Sequence, residues 1–322
     1  RVYQLSGDYV TFYLENGNEP ITEAAEGETV TVSADPDKFP AGENKYFTGQ
    51  YTATEGVTVT VNENGDGTFT MPAMAVTVSA VLADPKAILS DWITVGDGTT
   101  LVYNGQTQTP AVIVMDGETD ITEQCDITYS NNRNAGTADA ENVPTVTVTA
   151  KSTCIRYTGS ATATFTIARK ALELVADPVT IVEGEPLPSF TGSITGFVEG
   201  EGLSGTDVLT FGVEGTPSAT GSYAVTGKLN GEASGNYGQN YTFDNAAANA
   251  TALSIIPIPT HAQRGLTSKI TSLILHTAEL SGYDGDKPTG ELAIPASVNY
   301  EGTDYSVTSI ADGALESCTG LT

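Results

Sequence analysis

Three stretches, AVTVSAVLADP at Ala75–Pro85, SATATFTIARK at Ser160–Lys170 and NATALSIIPIP at Asn249–Pro259, decide how this 322-residue chain is read. In each, apolar residues fall at every second position: Val76, Val78 and Ala80; Phe165 and Ile167; Leu253 and Ile255. A period of two marks a strand with one buried face, because successive side chains leave a pleated backbone on opposite sides. A proline or a fresh charged start follows each copy. The copies are spaced by roughly 85 to 90 residues, a module period and not that of a short solenoid repeat. The expectation is three β-modules, each closed by such a strand, and a remainder.

Composition agrees. Only 16% of the residues are charged, while 34 glycines and 14 tyrosines accompany abundant threonine. β-Branched and aromatic side chains pack well on a pleated surface, and almost no stretch repeats apolar residues at helical spacing. The formal charge of −27 excludes nucleic acid as a partner, since phosphates require a Lys/Arg surface. It equally disfavours an anionic membrane face and is the solubilising charge expected of an exported bacterial protein. No apolar run approaches the ~18 residues needed to span a bilayer as a helix.

Taken in order, residues 1–84 open with a strand at Tyr9 to Leu14 running into an Asn-Gly turn, then a second strand in GETVTVSADP and a third at Lys45 to Tyr51. Two more strands flank Asn62-x-Asn64-x-Asp66-Gly67. That string opens like a calcium-binding EF-hand loop, but position twelve, where a bidentate Glu is required, is Ala73. A hairpin turn with Gly65 and Gly67 at positive φ is the expectation. The pattern FTMPAMAVTVSA (Phe69–Ala80), after GETVTVSADP and Phe47–Gly49, resembles the internalin-type B-repeat of bacterial surface proteins, with Gln50 where that family usually has Trp.

Residues 85–169 contain ILSDWITV with the sole tryptophan, Trp92, then YNGQTQTPAVIVMDG, YSNNRNAGTA and YTGSATATFTI. These phrases are similar to an Ig-like module found in tandem in gut-bacterial surface proteins, which implies a β-sandwich and a turn at Asn134–Gly136 with Gly136 in a conformation other residues avoid. Trp92 reads as a core or inter-module residue, with a sugar platform as the alternative. Cys125 precedes the strand Ile127–Ser130 and Cys154 follows Val146–Lys151. Antiparallel pairing of those strands brings the two cysteines together, and the expectation is a disulfide, the alternative being two buried thiols. Such a bridge contributes about 3–4 kcal/mol in the chain-entropy view.

Residues 170–257 resemble the MBG-type module of bacterial adhesin-like proteins. The likeness rests on Gly192 to Gly196 with Phe197, on EGEGLSG, on Gly221-Ser222-Tyr223 and on Asn240–Phe243. Tyr223 and Tyr241 alternate with apolar residues and read as core. The tract Glu199-Gly200-Glu201 reads as a solvated turn, with a lone calcium site as the weaker reading.

Residues 258–322 change character. KITSLILHTAELSGY reads as a strand carrying His276, and IADGALESCTGLT (Ile310–Thr322) resembles the repeat of BspA-like leucine-rich-repeat surface proteins. Ile310, Ala314, Cys318 and Leu321 match that repeat, and Leu315 stands where Phe is usual. The resemblance implies a repeat array continuing beyond Thr322, with Cys318 a core thiol of it.

No GxSxG, HExxH, phosphate loop or dinucleotide fingerprint is present, and the only histidines are His261 and His276. No catalytic residue, metal ligand or cofactor is expected. The fold class expected is mainly β: tandem small modules, Ig-like sandwich and β-grasp-like, followed by the start of a leucine-rich-repeat solenoid. The function expected is a non-enzymatic, monomeric, exported adhesin-like protein of the cell surface, outer-membrane-associated or secreted. Its partners would be host matrix proteins or bacterial surface proteins. A glycan-binding accessory protein using exposed tyrosines and Trp92, and a spacer with no ligand of its own, are the alternatives.

Overall fold

The computed structural model describes residues 1–15, 17–137, 141–230 and 235–322. The chain is mainly β, built of many small sheets, with one α-helix of six residues at Gly235–Asn240 among the described residues. Two compact units emerge, one comprising residues 1–99, 108–132 and 140–165, the other 100–107, 133–139 and 166–322.

In the first unit, residues 1–84 form two sheets. One orders its strands Glu23–Ala25, Val2–Ser6, Val76–Ala83, Tyr46–Ala53; the other runs Val10–Leu14, Thr29–Ala34, Gly67–Thr70, Thr60–Val61. The alternation read from the sequence places Val30, Val32 and Val78 at 0% exposure, packed with Phe12, Phe69 and Met71. Thr29, Thr31, Thr77 and Ser79 on the opposite face stay wetter. The Asn-Gly turn expected after Leu14 falls on Asn16, outside the described residues. A second cluster in this unit gathers Val114, Ile121, Val146 and Val148. Over it lies the antiparallel sheet Cys125–Ser130, Thr145–Ala150, Ser160–Thr164, whose register pairs Cys125 with Ala150.

In the second unit, Lys170–Ala176 lies between Gly192–Thr195 and Tyr241–Asn245, while Leu253–Ile256 lies between Val179–Val182 and Gly221–Tyr223. Leu172, Leu174, Ile181, Leu253 and Ile255 are buried. A five-stranded sheet follows, ordered Thr260–Gln263, Leu266–Ser272, Thr277–Tyr283, Thr303–Ile310, Ser297–Tyr300. It has its own core of Ile270, Ala278, Val298 and Tyr305.

One arrangement recurs. Near the start of each module a strand pairs in parallel with a strand near its end: Leu5 with Val76, Lys86 with Tyr157, and Lys170 with Tyr241. The separation is 71 residues in all three, from 5 to 76, from 86 to 157 and from 170 to 241.

The closing stretches differ from one another more than their sequences suggest. The first is one strand, Val76–Ala83. The second breaks at Phe165: Ser160–Thr164 pairs with Thr145–Ala150, whereas Ile167–Ala168 pairs in parallel with Leu101–Val102. Ile167 also exchanges both backbone hydrogen bonds with Gly136, at 2.9 and 3.0 Å. Gly136 is thereby held in an extended bridge and does not take positive φ; in that neighbourhood Asn131 does, at 55°. In the third, the first half is a 3-10 turn, Ala247–Thr251, and only Leu253–Ile256 is strand.

The run expected as one strand around His276 is a hairpin. Leu273–His276 form the turn, and His276 takes φ 52°, in the left-handed region and outside the extended range of a regular strand. After Ile310 the backbone makes successive turns and ends in a parallel bridge between Gly290 and Leu321. Ala314 is buried, but Ile310, the other apolar anchor of the expected repeat, is 51% exposed. No leucine-rich solenoid is formed by the described residues.

Candidate functional site

In the first unit, four separate pieces of chain converge on a groove. Asp35 caps the 3-10 turn Pro36–Lys38 by accepting from the Asp37 amide at 3.2 Å, and this turn delivers Phe39. The strand Tyr46–Ala53 delivers Tyr46 and Phe47 at its start. The loop Asn62–Asp66 folds on itself, with the Asn62 side chain accepting from the amides of Asn64 and Asp66 at 2.9 and 3.0 Å. The fourth piece, after Ala150, presents Ile155, which is 64% exposed.

Together these residues wall a cleft of about 340 Å³, with Lys45, Asn64 and Asp66 at its edge. Through Pro36, Phe39, Lys45 and Ile155 the cleft continues into a depression of about 620 Å³ that reaches Glu43, Ser152 and Tyr157. Lys45 Nζ lies 3.3 Å from Glu43 and 3.1 Å from Asp84, and the hydrogen bond to Asp84 chiefly holds its pKa above the ordinary lysine value. The Arg156 guanidinium lies 5.9 Å from the centre of the Tyr46 ring, a cation–π distance.

The second unit contains a carboxylate held by two phenols. Tyr103 donates to Glu201 Oε1 at 2.5 Å, and Tyr241 donates to Glu201 Oε2 at 2.6 Å. The two rings meet edge to face, 5.4 Å between centres, and Phe197 packs on the Tyr241 ring at the same distance. Both phenols are buried, at 3% and 1% exposure. Burial first, then the Glu201 carboxylate, pushes Tyr103 up to about 12 and Tyr241 higher still. Such phenols stay protonated donors at neutral pH, so the cluster acts as a clamp and not as a nucleophile. Gly105 completes it: φ is +76°, and a Cβ there would lie 2.8 Å from Val198 Cγ1. Asn240 braces the same region, accepting from the Ala135 amide at 2.8 Å. Glu201, expected in a solvated turn, is thus a structural acceptor; nothing in the EGEG stretch signals this, because both donors are remote in sequence.

A third phenol behaves alike. Tyr157 donates to Asp116 at 3.0 Å, alongside Lys86 at 2.5 Å, and burial followed by Asp116 raises it to about 12. These three folded-state values exceed the ordinary phenol value near 10. Their stabilising contribution is therefore fully present below pH ~10 and is lost as pH climbs through the folded values. An ultraviolet titration is expected to show a late group, containing Tyr103, Tyr157 and Tyr241, that ionises above the ordinary phenol range.

The remaining residues singled out in the sequence take these places. Trp92 ends the 3-10 turn Ser90–Trp92 and packs half-buried on the Val114 cluster, edge to face with Tyr157 at 6.2 Å. Gly65 takes φ +89°, as a hairpin turn requires. Gly67 does not; it is glycine because a Cβ would meet Val59 Cγ1 at 2.4 Å. No cluster of metal-ligating side chains occurs among the described residues. His276 packs its ring on Tyr305 at 5.4 Å, and His261 on Tyr300 at 6.1 Å. Cys318 is half-buried.

The disulfide expected between Cys125 and Cys154 is not made in this structure. Cys125 donates to the Ile121 carbonyl at 3.4 Å and Cys154 to Gln124 Oε1 at 3.3 Å. Strand pairing does bring both cysteines to one end of the sheet, but each thiol turns to its own acceptor. Burial raises the Cys125 thiol above its usual pKa. Alkylation of the native chain is expected to modify Cys154 and Cys318 well before Cys125; peptide mapping that recovers Cys125 joined to Cys154 would replace this thiol arrangement with the bridge.

Residues 172–251 match the family model of the MBG domain, YGX type. MBG domains are found in surface or extracellular proteins. No curated protein and no solved structure is significantly similar to the chain. No helix among the described residues is long and apolar enough to cross a membrane.

Proposed function

We propose that this chain is a non-enzymatic, adhesin-like protein of the bacterial surface, in which serial β-modules carry a contact region for proteins or cells. The observation that carries the reading is the MBG match over residues 172–251 within a chain built throughout of small β-sheets. Buried apolar clusters recur along it, in residues 5–80, 88–148, 176–255 and 270–305. Small cores repeated in series suit a spacer that holds a contact region away from its anchor. In this reading residues 1–84 are an internalin B-repeat-like module and residues 258–322 lead into a BspA-like leucine-rich region. The experiment is protease shaving of intact cells followed by peptide identification, with binding of the full chain to immobilised matrix proteins measured alongside. Release of peptides from residues 1–322 and saturable binding are the expected results. A chain wholly protected in intact cells overturns the surface assignment.

A further inference from the structure

The groove beside Phe39, Tyr46 and Ile155 combines three properties that define a narrow class of ligand. Its walls are apolar: ring faces and edges from Phe39, Tyr46 and Phe47, and Ile155 left 64% exposed where a folded chain usually buries such a side chain. Its rim offers hydrogen-bonding groups that the fold does not use. Among the described residues, the side chains of Asn44, Asn64 and Ser152 and the Tyr46 hydroxyl make no hydrogen bond to the protein. Its charge is mixed: Lys45 is paired with Glu43 and Asp84, while Lys151 donates to the neutral Glu123 carbonyl at 2.7 Å and Arg156 lies beside the Tyr46 ring.

An anionic ligand would have to approach a chain of net charge −27, against which Lys151 and Arg156 are the two cations at the groove not ion-paired with a carboxylate among the described residues. A fully apolar ligand would leave the amide and hydroxyl rim idle. Sugar rings present CH faces to aromatic side chains and hydroxyls to amides and carboxylates at the same time. The cleft of about 340 Å³ opens into about 620 Å³ of shallower depression, a run suited to several sugar units in series. We infer that this groove binds a neutral oligosaccharide, one ring packed against Tyr46 and Ile155 and its hydroxyls taken by Asn44, Asn64 and Ser152. The inference rests on the surface-protein reading only for where such a glycan would be met. Trp92, held against the Val114 cluster, is not part of it.

The test uses the full chain on an array of neutral and acidic glycans, with titration calorimetry on the strongest neutral oligosaccharide. Ile155→Ser is the informative variant, because an exposed side chain carries little of the fold. Tyr46→Ala accompanies it, with thermal unfolding recorded for both. Binding is expected to weaken about fivefold in Ile155→Ser and about tenfold or more in Tyr46→Ala, tenfold being the loss of about 1.4 kcal/mol. The proposal is overturned by an array with no neutral hit, by acidic glycans alone binding, by a peptide library binding in their place, or by an affinity that Ile155→Ser leaves unchanged. Cell-shaving results bear on location and not on this groove, so the two readings fail separately.

Discussion

Tyr241→Ala is expected to lower the stability of the second unit by about 3–5 kcal/mol, the usual cost of truncating a buried aromatic side chain. Tyr241 is 1% exposed and pairs with Lys170 across the parallel ladder. Its ring touches both Tyr103 and Phe197, its hydroxyl donates to Glu201, and the Val198 amide donates to its oxygen at 3.2 Å. Tyr241→Phe separates the two contributions. It keeps the ring and removes one donor from a charged acceptor, at a cost of about 1.5–3 kcal/mol. Tyr103→Phe removes the other donor, and the double variant should cost more than the two together, since Glu201 then keeps neither phenol. Urea unfolding gives the magnitudes, and hydrogen exchange of peptides from residues 172–251 locates them. A Tyr241→Phe protein within about 0.5 kcal/mol of the parent would show that the carboxylate does not depend on this donor.

The second large effect is at Gly7. A Cβ built there lies 1.6 Å from the Val78 carbonyl oxygen and 2.6 Å from its carbon. Both are backbone atoms of a buried strand, so no rotamer change relieves the contact. Gly7→Ala must push Val76–Ala83 away from its neighbours, and about 3 kcal/mol of destabilisation is expected, at the upper end for overpacking. Gly27→Ala is the control: φ there is +88°, yet nothing lies within 4 Å of the added atom. Its penalty is therefore conformational only, about 1 kcal/mol. Thermal unfolding of the two variants compares crowding with backbone strain directly. Equal shifts would mean that the strand gives way at Gly7 more easily than its hydrogen bonds imply.

Periodicity was informative wherever one face of a strand is buried and its partners are close in sequence. Val76, Val78 and Ala80 show this, as do Leu253 and Ile255. Turn chemistry served equally well at Asn62–Gly65, where the side chain, the backbone and the positive φ are all local. What escaped reading was set by residues far apart. The break at Phe165 arises because the strand exchanges one partner for another, and alternation continues through it undisturbed. The turn at Leu273–His276 was hidden because Leu273, Ile274 and Leu275 look like the middle of a strand, although Leu275 is 75% exposed. Gly7 has no turn signature, since its reason is a backbone neighbour some seventy residues away, and Gly67, which looks like a turn glycine, is instead required by the side chains of Val59, Val32 and Tyr51 packed against it. The groove was illegible for the same cause: Phe39, Tyr46, Asp66 and Ile155 share no local pattern.

The 71-residue offset between paired early and late strands governs when each module can finish folding. Val2–Ser6 can gain its parallel partner only after Val76–Ala83 has been delivered, and the same delay applies to Lys86–Ala87 and Lys170–Ala176. Closing so long a loop delays completion in the way that non-local pairing slows β-proteins generally. For a chain released gradually from its N-terminus, each module then stays incomplete until nearly all of it has emerged. A polypeptide with that property locks one module at a time as it is released.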